Sequence, residues 1–208
     1  MITYPSDGAN AVTAVGLLCS GAAMGLVAKG HYAAGVALGL WAIIADDVVG
    51  EIARRTKIAM ATKANGKALD GFSELIFGSV TPAIVIAVFS ELPVSAVFTA
   101  LLILIEAVRL AYFDHFGLDD RRYSTGLPLS FDLPVLAAIL LIDHTLAPLE
   151  LGVVLPFVFV PLSLRHIAPF KIKASGSPVH LFAIGVAVTA SVALCITNRA
   201  GQYVLTRS

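Results

Sequence analysis

The chain has 208 residues, of which 58% are hydrophobic and 13% charged, roughly half the charged share of an ordinary soluble domain. Lys+Arg and Asp+Glu total 14 each, so no excess charge points to nucleic acid or to an acidic polymer as partner. The composition is that of an integral membrane protein, and its charge is informative only through placement.

A bilayer core about 30 Å thick takes roughly 20 mostly apolar residues per helix. The first such run, AVTAVGLLCSGAAMGLVA, follows a stretch free of Lys and Arg and shows no cleavage site, which predicts a retained helix over 11–29 rather than a signal peptide. Further spans are predicted over 32–54, 67–90, 93–113, 128–147 and 179–198. The run 149–165 is shorter and carries Pro156 and Pro161, which predicts a kinked or re-entrant helix. Short polar connectors such as SELP join these runs, with no Ser/Gly linker or low-complexity tract. The expectation is an all-α fold, a polytopic transmembrane helical bundle of about six to eight helices forming one integral membrane domain over 1–208.

Basic residues orient that bundle. Arg54, Arg55, Lys57, Lys63 and Lys67, then Arg109, Arg121 and Arg122, then Arg165, Lys171 and Lys173 follow the second, fourth and sixth spans. Only Lys29, Arg199 and Arg207 are left for the other face. The positive-inside rule makes the first set cytoplasmic.

The second span ends in an unusual way. GLWAIIADDVVGEIARR turns from membrane-grade sequence to Asp46, Asp47, Glu51, Arg54 and Arg55 within ten positions. At about 100° per residue, Asp46, Gly50, Ala53 and Arg54 share one arc of the helix. In the third span, Gly66, Asp70 and Glu74 are four apart and climb a single face. Carboxylates within a membrane face protein, water or a cation rather than lipid. Asp46, Asp70 and Glu74 on facing helices would form a hard, oxygen-lined site suited to Mg²⁺ or Mn²⁺, and the glycines would admit a bulky ligand to the backbone. A metal–phosphate site is the physical expectation.

The same residues resemble a known motif. D-x-x-D-G-x-x-A-R followed by G-x-x-x-D-x-x-x-D marks the CDP-alcohol phosphotransferases, and six of its eight positions recur here as Asp46, Gly50, Ala53, Arg54, Gly66 and Asp70. LDGFSELIFGSVTPA, RLAYFDHFGLDDRRYSTGLPLS and SLRHIAPFKIK are similar to segments of the phosphatidylserine synthase branch, and GANAVTAVGLL extends the likeness to the N-terminus. The resemblance implies a transferase that moves a phosphatidyl group from a CDP-diacylglycerol-type lipid to a small polar alcohol such as serine and releases CMP. It also implies Mg²⁺ or Mn²⁺ on Asp46, Asp70 and Glu74, with Glu74 in the place of the general base. Gly50, Ala53, Arg54 and Gly66, with Asp47, would surround the CDP-lipid; Arg109 and Arg122 would meet acceptor or lipid phosphate. A homodimer among membrane lipids, with its active site on the cytoplasmic side of a bacterial or archaeal membrane, completes the expectation.

The departures are specific. Val49 stands where the family has its second aspartate, and Asp47, the alternative carboxylate, is on the other flank of Asp46, about 160° around the helix from Val49. Glu74 replaces the final aspartate, and eleven residues rather than eight separate Arg54 from Gly66. Tyr112 and Asp114 replace the second Arg and the Asn of R-L-x-R-F-N. The alternative reading is therefore a catalytically impaired relative that binds CDP-lipid, lipid or a protein partner. No inverted repeat or pair of broken helices supports a transporter.

Other residues have plainer readings. Glu106 and Arg109, three apart, predict a self-neutralising pair alongside a phosphate-binding role for Arg109. The DDRR run at 119–122 predicts a solvated connector, and Asp132 a helix-start residue. His166 and Lys171 flank the cytoplasmic side, where lipid headgroups are within reach. The histidines pair with no Cys or Ser, which speaks against covalent catalysis, and Cys19 and Cys195 read as small buried hydrophobes.

Overall fold

A computed structural model describes residues 8–55, 60–90, 95–120, 122–173 and 177–200. Side-chain surroundings are described for these except at 8, 9, 50–55, 60–65, 177–180 and 198–200. The chain is almost wholly helical: α1 (Gly8–Ala28), α2 (Tyr32–Arg55), α3 (Met60–Leu75), α4 (Thr81–Phe89), α5 (Ser95–Phe116), α6 (Asp132–Thr145), α7 (Leu151–His166) and α8 (Ser177–Ala200). Among the described residues, four stretches are long and apolar enough to cross a membrane: Asn10–Ala28, Tyr32–Val49, Gly66–Phe89 and Ser95–Phe116. Leu151–His166 and Leu181–Thr197 are shorter apolar helices.

Local chemistry sets the element boundaries. Gly30, at φ +82°, ends α1 in a Schellman turn: its N–H donates to Val27 O (2.9 Å) and that of His31 to Leu26 O (2.9 Å). The predicted third span is α3 and α4 in one continuous rod joined by a π-helical turn, Ile76–Val80. Pro82 has no N–H with which to continue the ladder, and the N–H of Thr81 reaches back five residues to Ile76 O instead. In α7, Pro156 and Pro161 sit inside one continuous helix of 16 residues.

The sequence gives no hint of strand, yet β1 (Tyr123–Thr125) and β2 (Lys171–Lys173) pair antiparallel, with Ser124 opposite Ile172. This small ribbon of two three-residue strands is an addition to a fold that is mostly helical, consistent with the all-α expectation. Asp119 ties it together, accepting Tyr123 N–H at Oδ1 (2.8 Å) and Lys171 Nζ at Oδ2 (2.6 Å). The DDRR run is therefore partly structural. Arg121 lies outside the described residues.

Helix α1 packs chiefly on α2, α2 on α8, and α6 on α8. Leu40, Phe77, Leu133, Leu136, Leu140 and Phe159 are fully buried at the centre. Trp41 Nε1 donates to Ser191 Oγ (3.0 Å), which donates to Ala37 O (3.2 Å), a polar stitch between α2 and α8.

Helix α5 is patterned inside out. Its buried residues are Leu102, Glu106 and Arg109, while Val97, Leu101, Leu104 and Val108 are each more than half exposed. On α7, Phe157 is 80% exposed and Val153 68%; on α8, Leu181 and Phe182 are about as open. Apolar exposure on this scale is foreign to a monomer in water and compatible with a lipid surround. Cys19 is half-buried and Cys195 exposed, both free, so Cys195 does not fill the core as expected.

Candidate active site between α2, α3 and α5

Asp46 on α2 and Asp70 on α3, the next helix in the chain, meet carboxyl to carboxyl within hydrogen-bonding range. Both are half-buried, as is Glu74, one turn further along α3. Two carboxyl groups in contact repel when both are ionised, so such a pair holds either a shared proton or a cation. Glu74 stands close enough to feel Asp70, Arg109 and His166 electrostatically. Its Oε1 lies 3.5 Å from Arg109 Nη1.

Arg109 is held rigidly for a long side chain. It is 4% exposed, and its guanidinium carbon lies 5.0 Å from the centre of the Phe113 ring one turn on. The direct ion pairs are Arg109 with Glu74 and Glu106 with His166, while the charges of Glu106 and Arg109 still lie close enough to interact.

The rest of the motif is placed unevenly. A Cβ at Gly66 would collide with Oδ1 of Asn10, a buried residue on the first turn of α1, so the small residue is needed for α1 and α3 to approach. Ser20 and Ser73 continue that contact with their hydroxyls 3.1 Å apart. Gly50, Ala53 and Arg54 continue α2 as backbone, but their side chains lie outside the described part. Val49 and Asp47 are half-buried beside Asp46, and Val49 offers no ligand atom. Arg122 stands exposed in the turn before β1, at φ +62°. Asp114 pairs with Lys67 at 2.8 Å, linking the middle of α3 to the C-terminal end of α5.

Three residues gather where sequence spacing gave no warning. Glu106, Asp132 and His166 are the one group of three ligand-type side chains, among the described residues, whose donor atoms lie mutually within 4.8 Å. His166 is 1% exposed, which removes it from contact with headgroups. Asp132 does open α6, but its side chain binds His166 Nε2 at 3.0 Å instead of capping the helix. The only early signal was an acid, Glu106, inside the apolar run LLILIEAVRL. An apolar cleft of about 580 Å³ between α6 and α8, lined by Pro134, Leu141, Phe182 and Val186, carries no ionisable group.

No protein-family model and no curated protein matches this chain. The residues and their geometry carry the functional reading.

Proposed function

We infer that the chain is a membrane-embedded transferase of the CDP-alcohol phosphotransferase type, a bundle of about seven spans whose basic connectors face the cytoplasm. Its reaction joins the hydroxyl oxygen of a small polar alcohol such as serine to the phosphatidyl phosphorus of a CDP-diacylglycerol-type lipid, breaks the bond from that phosphorus to CMP, and releases CMP. The observation that supports this best is the meeting of Asp46 and Asp70, with Glu74 alongside, on the helices where the motif calls for them. The half-buried pair fits one divalent ion, Mg²⁺ or Mn²⁺, since both donors are hard oxygens and Val49 supplies no third. Such an ion, when bound, offsets negative charge on the phosphate oxygens. Glu74 accepts the hydroxyl proton, and Arg109 beside it holds that carboxylate in place. Gly66 lets α1 pack closely on α3 through Asn10, and the CDP group lies along α2 near Gly50, Ala53 and Arg54.

One feature favours a second reading, a catalytically impaired member that binds CDP-lipid, lipid or a protein partner: Val49 removes a carboxylate, and Glu74 is already engaged by Arg109. A homodimer is part of the proposal under either reading. Metal-dependent CMP release from CDP-diacylglycerol by the purified protein decides between them, with serine, inositol and glycerol phosphate offered in turn and Asp70→Asn as control. Release with one acceptor, lost in the variant, establishes the transferase. Equal background from both folded proteins under every metal and acceptor establishes the binding role.

A further inference from the structure

Six buried side-chain atoms lack a hydrogen-bond partner among the described residues, and four of them fall in one place: both oxygens of Glu106, Oδ2 of Asp132 and Nε of Arg109. Buried polar atoms in that state are costly and need a partner. Glu106 and Asp132 are 0% exposed, so bulk water does not serve.

The histidine fixes what kind of partner is missing. His166 Nδ1 lies 2.8 Å from Leu127 O, a backbone carbonyl that can only accept. Nδ1 therefore carries a proton, and Nε2 faces Asp132 Oδ1 at 3.0 Å and Glu106 Oε1 at 3.3 Å, so that either a proton on Nε2 or a cation in its place must hold the two carboxylates to the ring. Three Lewis bases converge there. An Nδ1–H given to a backbone carbonyl is also the outer hydrogen bond that orients metal-binding histidines. Around an ion with bonds of about 2.1 Å, adjacent ligand atoms are about 3.0 Å apart in an octahedron and about 3.4 Å in a tetrahedron. The two observed separations, 3.0 and 3.3 Å, lie within that span.

We propose that Glu106, Asp132 and His166 bind a divalent first-row transition ion of the Zn²⁺ or Mn²⁺ class, fastening α5, α6 and α7 together. One imidazole nitrogen with two carboxylates favours such ions over Mg²⁺ or Ca²⁺, which prefer all-oxygen shells. Two carboxylates and one divalent ion are also neutral together, which suits a site closed to water. The site is distinct from the Asp46–Asp70 pair and is independent of phosphatidyl transfer.

The full-length protein, purified in detergent without chelator and then incubated with Zn²⁺ or Mn²⁺ and desalted, is assayed for bound metal by mass spectrometry. About one equivalent is expected, retained in Asp70→Asn and lost in Glu106→Gln and Asp132→Asn. Less than a tenth of an equivalent in the wild type, or metal that follows Asp70 instead, overturns the proposal in favour of a network held by protons alone. Where the Glu106 and Asp132 variants fail to fold, electron spin echo spectra of the Mn²⁺-loaded wild type decide. Coupling to one imidazole nitrogen supports the site, and its absence overturns it.

Discussion

Gly126 lies against the carbonyl of His166 so closely that a Cβ at position 126 would overlap that oxygen, and its φ of +76° is one that side chains resist. The turn it begins also sends the Leu127 N–H to Arg165 O at 3.1 Å and the Leu127 carbonyl to His166 Nδ1 at 2.8 Å. The glycine of the G-L-P segment thus locks the end of α7 onto the start of α6. Gly126→Ala is expected to cost about 3 kcal/mol or more, from left-handed backbone strain plus the overlap. Gly117→Ala, at φ +62° with open space around it, should cost only the backbone share, about 1–2 kcal/mol. Thermal unfolding in detergent compares them; equal losses would show that the contact with His166 contributes nothing.

Arg109 and Glu74 form the most buried pair of opposite charges among the described residues near the candidate site. Truncating one partner strands the other, and removing one member of a buried pair costs about 3–5 kcal/mol, whereas replacing both is far milder. Arg109→Met should therefore be strongly destabilising, and Glu74→Gln added to it should recover at least half of the loss. The double-mutant cycle by chemical unfolding is the check. Additive losses would mean that the 3.5 Å contact carries no coupling.

Helical periodicity and apolar length made most of the helices legible in the sequence, because a rod of roughly 20 residues with few charges has few alternatives. The i,i+4 spacing of Asp70 and Glu74 on α3 was legible, and Asp46 comes within reach of Asp70, but the three carboxylates do not draw together within 4.8 Å of one another. The partners of Glu106 were not legible. Asp132 and His166 are 34 positions apart and meet through the turn at Gly126–Pro128, a tertiary event that no local spacing encodes. The β ribbon was hidden for the same reason, since each strand is three residues long and is defined only by the other.

Gly66 and Asn10 test the approach of α1 to α3. A Cβ at position 66 would press into the Asn10 amide, and overpacking of this kind costs about 1–3 kcal/mol. Gly66→Ala should lose that stability and lower CMP release with it. Asn10→Ala should lose about 1 kcal/mol alone, yet in combination with Gly66→Ala it should relieve the overlap and restore part of the stability. A double variant worse than the sum of the singles would remove Asn10 as the reason for the glycine.

Val49 is the most consequential departure from the motif, because an isopropyl group stands one turn from Asp46 where a third carboxylate would meet the Asp46–Asp70 pair. With two ligands, the proposed Mg²⁺ or Mn²⁺ site binds weakly, and activity should rise with metal well above the micromolar range. Val49→Asp supplies a hard oxygen on the same face of α2. It is expected to lower the metal concentration for half-maximal CMP release by about tenfold, the equivalent of 1.4 kcal/mol of added binding. Val49→Asn tests whether charge is the cause, since the amide matches the shape but should give little of the gain. A Val49→Asp protein that folds but turns over less at every metal concentration would show that the native site works by its own two-carboxylate arrangement. In that case Val49 serves to keep water and a second ion away from the phosphate.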